Sequence, residues 1–376
     1  MSDPANSAPE TADERAAALL AAAARASYGR SFSGYLSIAA LMRPEVVRLS
    51  EVERRVIREM LLGLVEQIEQ ELRARILASP DLETVEEFTA SLSAPHIAIA
   101  WPALSAAELP DDTELAKLLV QRARAYTIIR YLRRFGSVAE DSVIEQLTEH
   151  TEPAISASAM NLLIAESRSN DRFDDPRLGR ADLPEPVARR LIWTIAAAIR
   201  DYGKRFDELD QARLETVVTL VAGAMVAEHD DTSALAVAAE TLATALQDAG
   251  SVDPSLWVEA VHGARLHLYV AMVAVRAEIE FEAAWDMISM PDVATHMVLL
   301  KSIGVDRDTA SQLVTMISRA VSQDEATADN HAAAWIETYD TLDATNVEEA
   351  MRAWRVDPAY RSALSYLSSA NRGASS

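Results

Sequence analysis

The sequence predicts an all-α fold, with a HEAT-like or irregular α-solenoid in the N-terminal half and a second helical domain after it. Three observations predict this. Ala, Leu, Glu and Arg are abundant, while only 11 Gly and 14 Pro interrupt 376 residues. Such residues lose little rotamer freedom in a helix. Apolar residues recur at i, i+3, i+4 spacing, and β-branched residues alternating with polar ones are missing. Charge is also divided along the chain. Residues 206–350 hold 26 Asp/Glu and 6 Lys/Arg, a net of −20 within a total of −23. Two surfaces of different character follow, one for each half.

The elements can be justified in order. Residues 1–12 and 371–376 read as disordered tails. Asp13 starts an Ala-rich helix to about Ser27. Ser50 and Glu53 form a capping box, in which the serine accepts from the third-residue amide and the glutamate reaches back. The helix they open runs to about Leu77. Its apolar stripe includes Val56, Ile57, Met60, Leu64, Ile68, Leu72 and Ile76, and its other face carries Arg55, Glu59, Glu66, Glu69, Glu71, Arg73 and Arg75. Such a long amphipathic helix could also pair with a second copy of the chain.

Shorter pieces follow: helices over 81–92, 95–104 and 112–135, the last stopped by Gly136. A second capping box, Ser137 with Glu140, opens 138–148. Pro153 sits in the first turn of a helix to about Ser169. Short helices that cannot bury both faces alone suggest a HEAT-like stack over 13–175. The polar stretch 169–182 reads as a linker. Beyond it, 183–370 reads as an acidic helical domain. Its helices lie near 184–205, 208–229, 233–248, 254–281, 292–303, 307–322, 325–342, 346–355 and 359–369. Asp253-Pro254, Asp306 and Asn346 are starts, and Gly250 and Gly304 are stops.

Several ordered segments resemble a known family. They are Leu49–Arg54 leading into Leu64–Arg73, Leu162–Arg168 followed by Asp171-Arg172-Phe173, Leu183–Trp193, and Trp354–Arg361. Arg168, Phe173, Arg189, Trp193, Trp354, Pro358 and Tyr360 stand out in them. Together they resemble an alphaproteobacterial family of HEAT-like helical proteins catalogued as domain of unknown function 2336, over roughly 45–365. The stretch 281–300 departs from the pattern, with Ala and Met in place of a Gly-containing turn and a nearby Cys-Arg pair. The resemblance implies a helical-repeat fold and no catalytic residues.

The residues restrict chemistry. Cysteine is absent, which excludes disulfides, thiolate metal sites and a thiol nucleophile. No Gly-x-Gly, phosphate loop or Gly-x-Ser-x-Gly is present. Glu259 and His262 have the Glu-x-x-His spacing of carboxylate-bridged metal sites, but a second such pair is missing. The alternative they support is a ligand- or metal-binding helical bundle; the expected cofactor is none. Arg122, Arg130, Arg133 and Arg134 form a basic cluster suited to an acidic partner or, as a further alternative, to nucleic acid. The acidic block argues against nucleic acid as a partner of that half. Trp193, Trp257, Trp285, Trp335 and Trp354 fall near apolar stripes and are expected in the core. Trp354 and Tyr360 flank a Val-Asp-Pro break and are placed to staple the last helices together.

The N-terminus is acidic, unlike a secretory signal, and no run approaches the ~20 apolar residues of a membrane span. A cytoplasmic location is expected. The functional expectation is a non-enzymatic scaffold or adaptor that binds another protein, in bacterial signalling or regulation.

Overall fold

The computed structural model describes residues 12–28, 49–80, 85–106, 112–135, 143–170, 175–289, 293–322, 325–357, 360–361 and 363. Among them the fold is all-α: seventeen α-helices, two 3-10 turns and no strand. The tails, Gly136, the Ser137–Glu140 box, Phe173 and Pro358 lie outside the described residues.

Contacts divide the chain into two units interleaved along the sequence. The first comprises Met1–Gly34, Arg124–Leu163 and Ala238–Ser376, and the second Tyr35–Ala123 and Ile164–Val237.

The second unit is organised by α2 (Glu51–Leu77), the next described helix after α1 (Ala12–Tyr28). The Ser50–Glu53 box forms as the sequence predicts: the Glu53 amide donates to Ser50 Oγ at 3.2 Å, and the Ser50 amide to Glu53 Oε2 at 2.7 Å. The apolar stripe of α2 packs on α3 (Glu86–Ser93), α4 (Ala100–Ala106), α8 (Glu185–Gly203) and α9 (Gln211–Ala227). The stripe is therefore covered within its own unit. Glu69 and Arg73 do not share the solvated face with Glu66 and Glu59: each is only 4% exposed. Glu69 accepts from the amides of Ile99 and Ala100 at 3.0 and 2.9 Å, and Arg73 donates to the carbonyls of Ala94 and Ile97. The two side chains pair with each other as well. The turn before α4 is thus tied to α2 by one buried ion pair.

Four further helices are α5 (Thr113–Phe135), α6 (Val143–Thr148), α7 (Pro153–Arg168) and α10 (Leu235–Asp248). Asp112 caps α5 by accepting from the Leu115 amide at 3.0 Å. Burial pushes its carboxyl pKa up, but the Arg190 guanidinium at 2.8 Å and the backbone amides hold it below the usual range.

The first unit adds α11 (Pro254–His262), α12 (Leu266–Ala277), α13 (Phe281–Ser289), α14 (Val293–Ser302), α15 (Arg307–Val321), α16 (Glu325–Ile336) and α17 (Ala344–Arg352). Helix α14 is its centre. Every residue from Val293 to Leu300 is buried, and the helix touches α1, α12, α13, α15, α16 and α17. A helix buried all round carries no polar stripe, and α14 has none. Asp253 and Asp306 cap α11 and α15 as the sequence predicts. Asp343, rather than Asn346, caps α17 and accepts the Asn346 amide at 3.2 Å.

The predicted helix over 254–281 is two helices. Gly263 follows α11, but the left-handed residue is Ala264, with φ 56°. A left-handed alanine hides the stop signal that a glycine there would display. The same conformation recurs at Glu278, the exposed C-cap of α12, also at φ 56°. The Cβ clash there costs roughly 1–2 kcal/mol, and a carboxylate also opposes the helix dipole at that end. Glu278→Gly is expected to stabilise the protein by about 1 kcal/mol, seen as a higher urea midpoint at constant m-value.

Candidate functional site

The second unit carries an open groove of about 810 Å³. One wall is the solvated face of α2: Glu59, Gly63, Glu66, Gln67 and Gln70 recur at i, i+4, i+7, i+8 and i+11. The other wall is formed by residues 167–170 and 175–182, the stretch that reads as a linker in the sequence. Asn170 forms a bridge with Pro176, and the Arg177 amide donates to the Ser169 carbonyl at 2.7 Å. A 3-10 turn, Arg180–Asp182, then sits against α2.

Gly63 lines this groove, and a Cβ built on it meets nothing within 4 Å. No packing demand explains a glycine in the interior of a 27-residue helix. It costs about 1 kcal/mol there relative to alanine. What it does is leave the groove floor bare.

The polar wall is fixed from behind. Asp182 accepts the Gly179 amide at 3.0 Å and faces Arg122 at 3.3 Å. Arg122 is 8% exposed, and burial lowers its pKa against the charge of Asp182. One nitrogen, Arg122 Nη1, has no hydrogen-bond partner among the described residues. Arg180 pairs with Glu71 at 3.3 Å and donates to the Met225 carbonyl at 3.3 Å. Glu71 in turn meets Arg75 at 2.8 Å, and Arg75 meets Glu228 at 2.7 Å. His229 Nε2 donates to the Leu183 carbonyl at 2.9 Å. Arg168 reaches the Ser233 carbonyl at 2.8 Å and remains exposed on the groove wall. The groove thus presents both signs of charge on a supported frame.

The residues singled out in the sequence are placed as follows. Arg122 is turned inward to Asp182, whereas Arg130, Arg133 and Arg134 are exposed at the end of α5. There the Arg134 guanidinium lies 5.2 Å over the ring of Phe135, itself 58% exposed. Glu259 and His262 are both exposed on α11. Among the described residues no group of three or more His, Asp or Glu could hold a metal ion. Arg189 makes a solvated contact with Glu185 at 4.0 Å.

Trp257, Trp285 and Trp354 are buried as expected, but Trp193 is 37% exposed. The buried face of α8 runs through Val187, Leu191, Ile192, Ile195 and Ile199, and Trp193 stands one residue off that stripe. The side chain of Trp335 is outside the description. Trp354 Nε1 donates to the Ala23 carbonyl at 3.3 Å. The residue that staples the break after it is Arg361, stacked 5.3 Å over the Trp354 ring and donating to its carbonyl at 2.8 Å. Tyr360 is exposed. Sequence reasoning missed Gly63, Arg177 and Arg180. The Gly179–Asp182 turn, with an acid three residues after a glycine, was the available signal.

The sequence profile of a family described as an uncharacterised protein conserved in bacteria (DUF2336) matches residues 137–352, more than half of the chain. The chain belongs to this family. The matched span includes Arg168, Arg177, Arg180 and Asp182 of the groove wall, while Gly63 and the α2 face lie before it. No curated protein matches the chain, and no solved structure does. Among the described residues, no helix is long and apolar enough to cross a membrane.

Proposed function

We propose that the chain is a non-enzymatic intracellular scaffold or adaptor of bacterial regulation, and that a segment of another protein docks in the groove between α2 and residues 167–170 and 175–182. The observation that carries this reading is the bare floor at Gly63 beneath a wall of Arg168, Arg177 and Arg180. A groove of this size falls within the range of roughly 300–1,000 Å³ that suits a bound ligand. Its side chains are of both signs and lack a nucleophile aligned with a base, which favours recognition over turnover. Packed helices supply the extended surfaces that such recognition uses.

Gly63→Leu tests the reading without unfolding the protein, because leucine is a better helix former and the space is open. Full-length protein should capture a specific partner from a lysate of its host at moderate salt. Gly63→Leu and Arg168→Glu should each reduce that capture by roughly ten-fold, the loss of one good interfacial contact. Capture untouched by both changes would remove the groove from the reading. A turnover of small molecules, with no partner retained, would replace it.

A further inference from the structure

The first unit has a groove of its own, of about 600 Å³, along α1 and α17. Its floor is α1, where Ala17, Leu20 and Ala21 present apolar side chains at i, i+3, i+4. Its rim is acidic: Asp13 at one end, Asp343 and Glu349 along the side. From Asp13 to Ala24 the floor is about 16 Å long, three helical turns.

Helix geometry explains some of these charges and not others. Asp343 caps α17 and is accounted for. Asp13 lies in the first turn of α1, where the dipole favours an acid. Glu349 lies towards the C-terminal end of α17, where the dipole disfavours one. Arg15 pairs with Glu337 at 3.6 Å, Arg307 with Asp340 at 3.3 Å, and Arg355 with Glu348, while Arg352, one turn beyond Glu349, is exposed and forms no ion pair with it. Neither Asp13 nor Glu349 has an ion pair among the described residues. An apolar floor edged by carboxylates, two of them without an ion pair among the described residues, complements one kind of occupant. Its apolar stem must lie on alanine while its cationic heads meet the rim, which is how lysine and arginine side chains bury their stems.

We infer that this groove docks a basic amphipathic helix of a partner protein, with an apolar face of small residues against α1 and lysine or arginine against Asp13 and Glu349. The inference deepens the scaffold reading by naming the chemistry of a partner, and it rests on that reading. It uses a different groove, so the two can fail separately.

Three synthetic helical peptides test it against the full-length chain. They share one Ala/Leu face and carry Lys, Gln or Glu on the other, and binding is read by fluorescence anisotropy at low and high salt. The lysine peptide should bind roughly ten-fold tighter than the glutamine peptide at low salt, and the glutamate peptide should not bind. Asp13→Asn with Glu349→Gln should abolish the lysine preference. Ala17→Trp, which fills the exposed floor, should block binding while leaving the unfolding midpoint near wild type. Arg168→Glu, in the other groove, should leave the lysine peptide's preference over the glutamine peptide as it is. Lysine-peptide binding that survives both groove changes would reflect general attraction to an acidic protein and overturn the inference. So would equal binding of the lysine and glutamine peptides, or binding of neither. A partner lost on Gly63→Leu alongside a negative peptide result would leave the first groove standing and refute only the second.

Discussion

Glu69→Ala is expected to destabilise the protein by about 3–5 kcal/mol, the cost of stranding one member of a buried ion pair. The magnitude follows from what the carboxylate does. It faces Arg73, and it also accepts the amides of Ile99 and Ala100. Removing it leaves a buried guanidinium without its counter-charge and two amides without their acceptor. Arg73 Nε already lacks a partner among the described residues, so the pair has little slack. Glu69→Gln should cost less, since a neutral oxygen can still accept from an amide. Joint replacement by Leu and Met should recover much of the loss, because the desolvation penalty of both charges disappears with them. Urea unfolding of the single and double variants gives the coupling directly. A loss for Glu69→Ala below about 1 kcal/mol, the range of a solvated pair, would mean that the pair is not buried in solution.

That pair marks where sequence reasoning stops. Glu69 and Arg73 are four residues apart, and a surface pair on a helix has the same spacing. Nothing local distinguishes them; only the turn before α4, some thirty residues on, makes the position interior. Features set by neighbours in the chain were legible: the Ser50–Glu53 box, Pro254 after Asp253, the Asp306 cap, and the left-handed glycines at 250 and 304. The break between α11 and α12 was hidden because its left-handed residue is an alanine. Trp193 was misplaced because a residue one step from a buried stripe is indistinguishable by composition from one on it.

The candidate site was legible in its parts and not as a whole. Its α2 wall was readable as a solvated face, and Arg168 stood out within a family-like segment. The two walls are about a hundred residues apart in sequence, and their meeting depends on Asp182 finding Arg122 and on Arg180 finding Glu71. A polar, broken stretch such as 169–182 looks like a linker whether or not it lies against a helix. The bare floor at Gly63 is clearer in hindsight: a glycine inside a strong helix asks for a reason, and open space is a reason that only tertiary structure displays.

The second large effect is on pH dependence. His296 is 2% exposed on α14, and burial drives its pKa down to about 3. Nε2 of its neutral ring shares a buried hydrogen bond with the Tyr269 hydroxyl at 2.7 Å, its direction set by the ring's tautomer. Tyr269 is itself fully buried and held well above the usual phenol range by burial, so it stays protonated. The unfolded chain takes up a proton near pH 6.5 that the folded chain refuses until about pH 3. Stability from this residue is complete above pH 6.5 and falls as pH drops through that window, by about 2–3 kcal/mol at pH 4.5. Glu240 has the opposite sign. Burial, then the charges of Glu282 and Glu280, raise its pKa to about 6. Its contribution is full below about pH 4.5 and is lost as pH rises through 6, leaving a penalty of about 1 kcal/mol near pH 7.5 after solvent screening. The two slopes should place the stability optimum near pH 6. His296→Gln keeps a hydrogen-bond partner for Tyr269 without a titrating ring. It should lower stability at pH 7.5, yet the difference from wild type should shrink steadily between pH 6.5 and 4.5. Glu240→Gln should stabilise at pH 7.5 and do nothing at pH 4. Parallel acid curves for wild type and His296→Gln would assign the acid loss to paired carboxylates such as Asp112 instead.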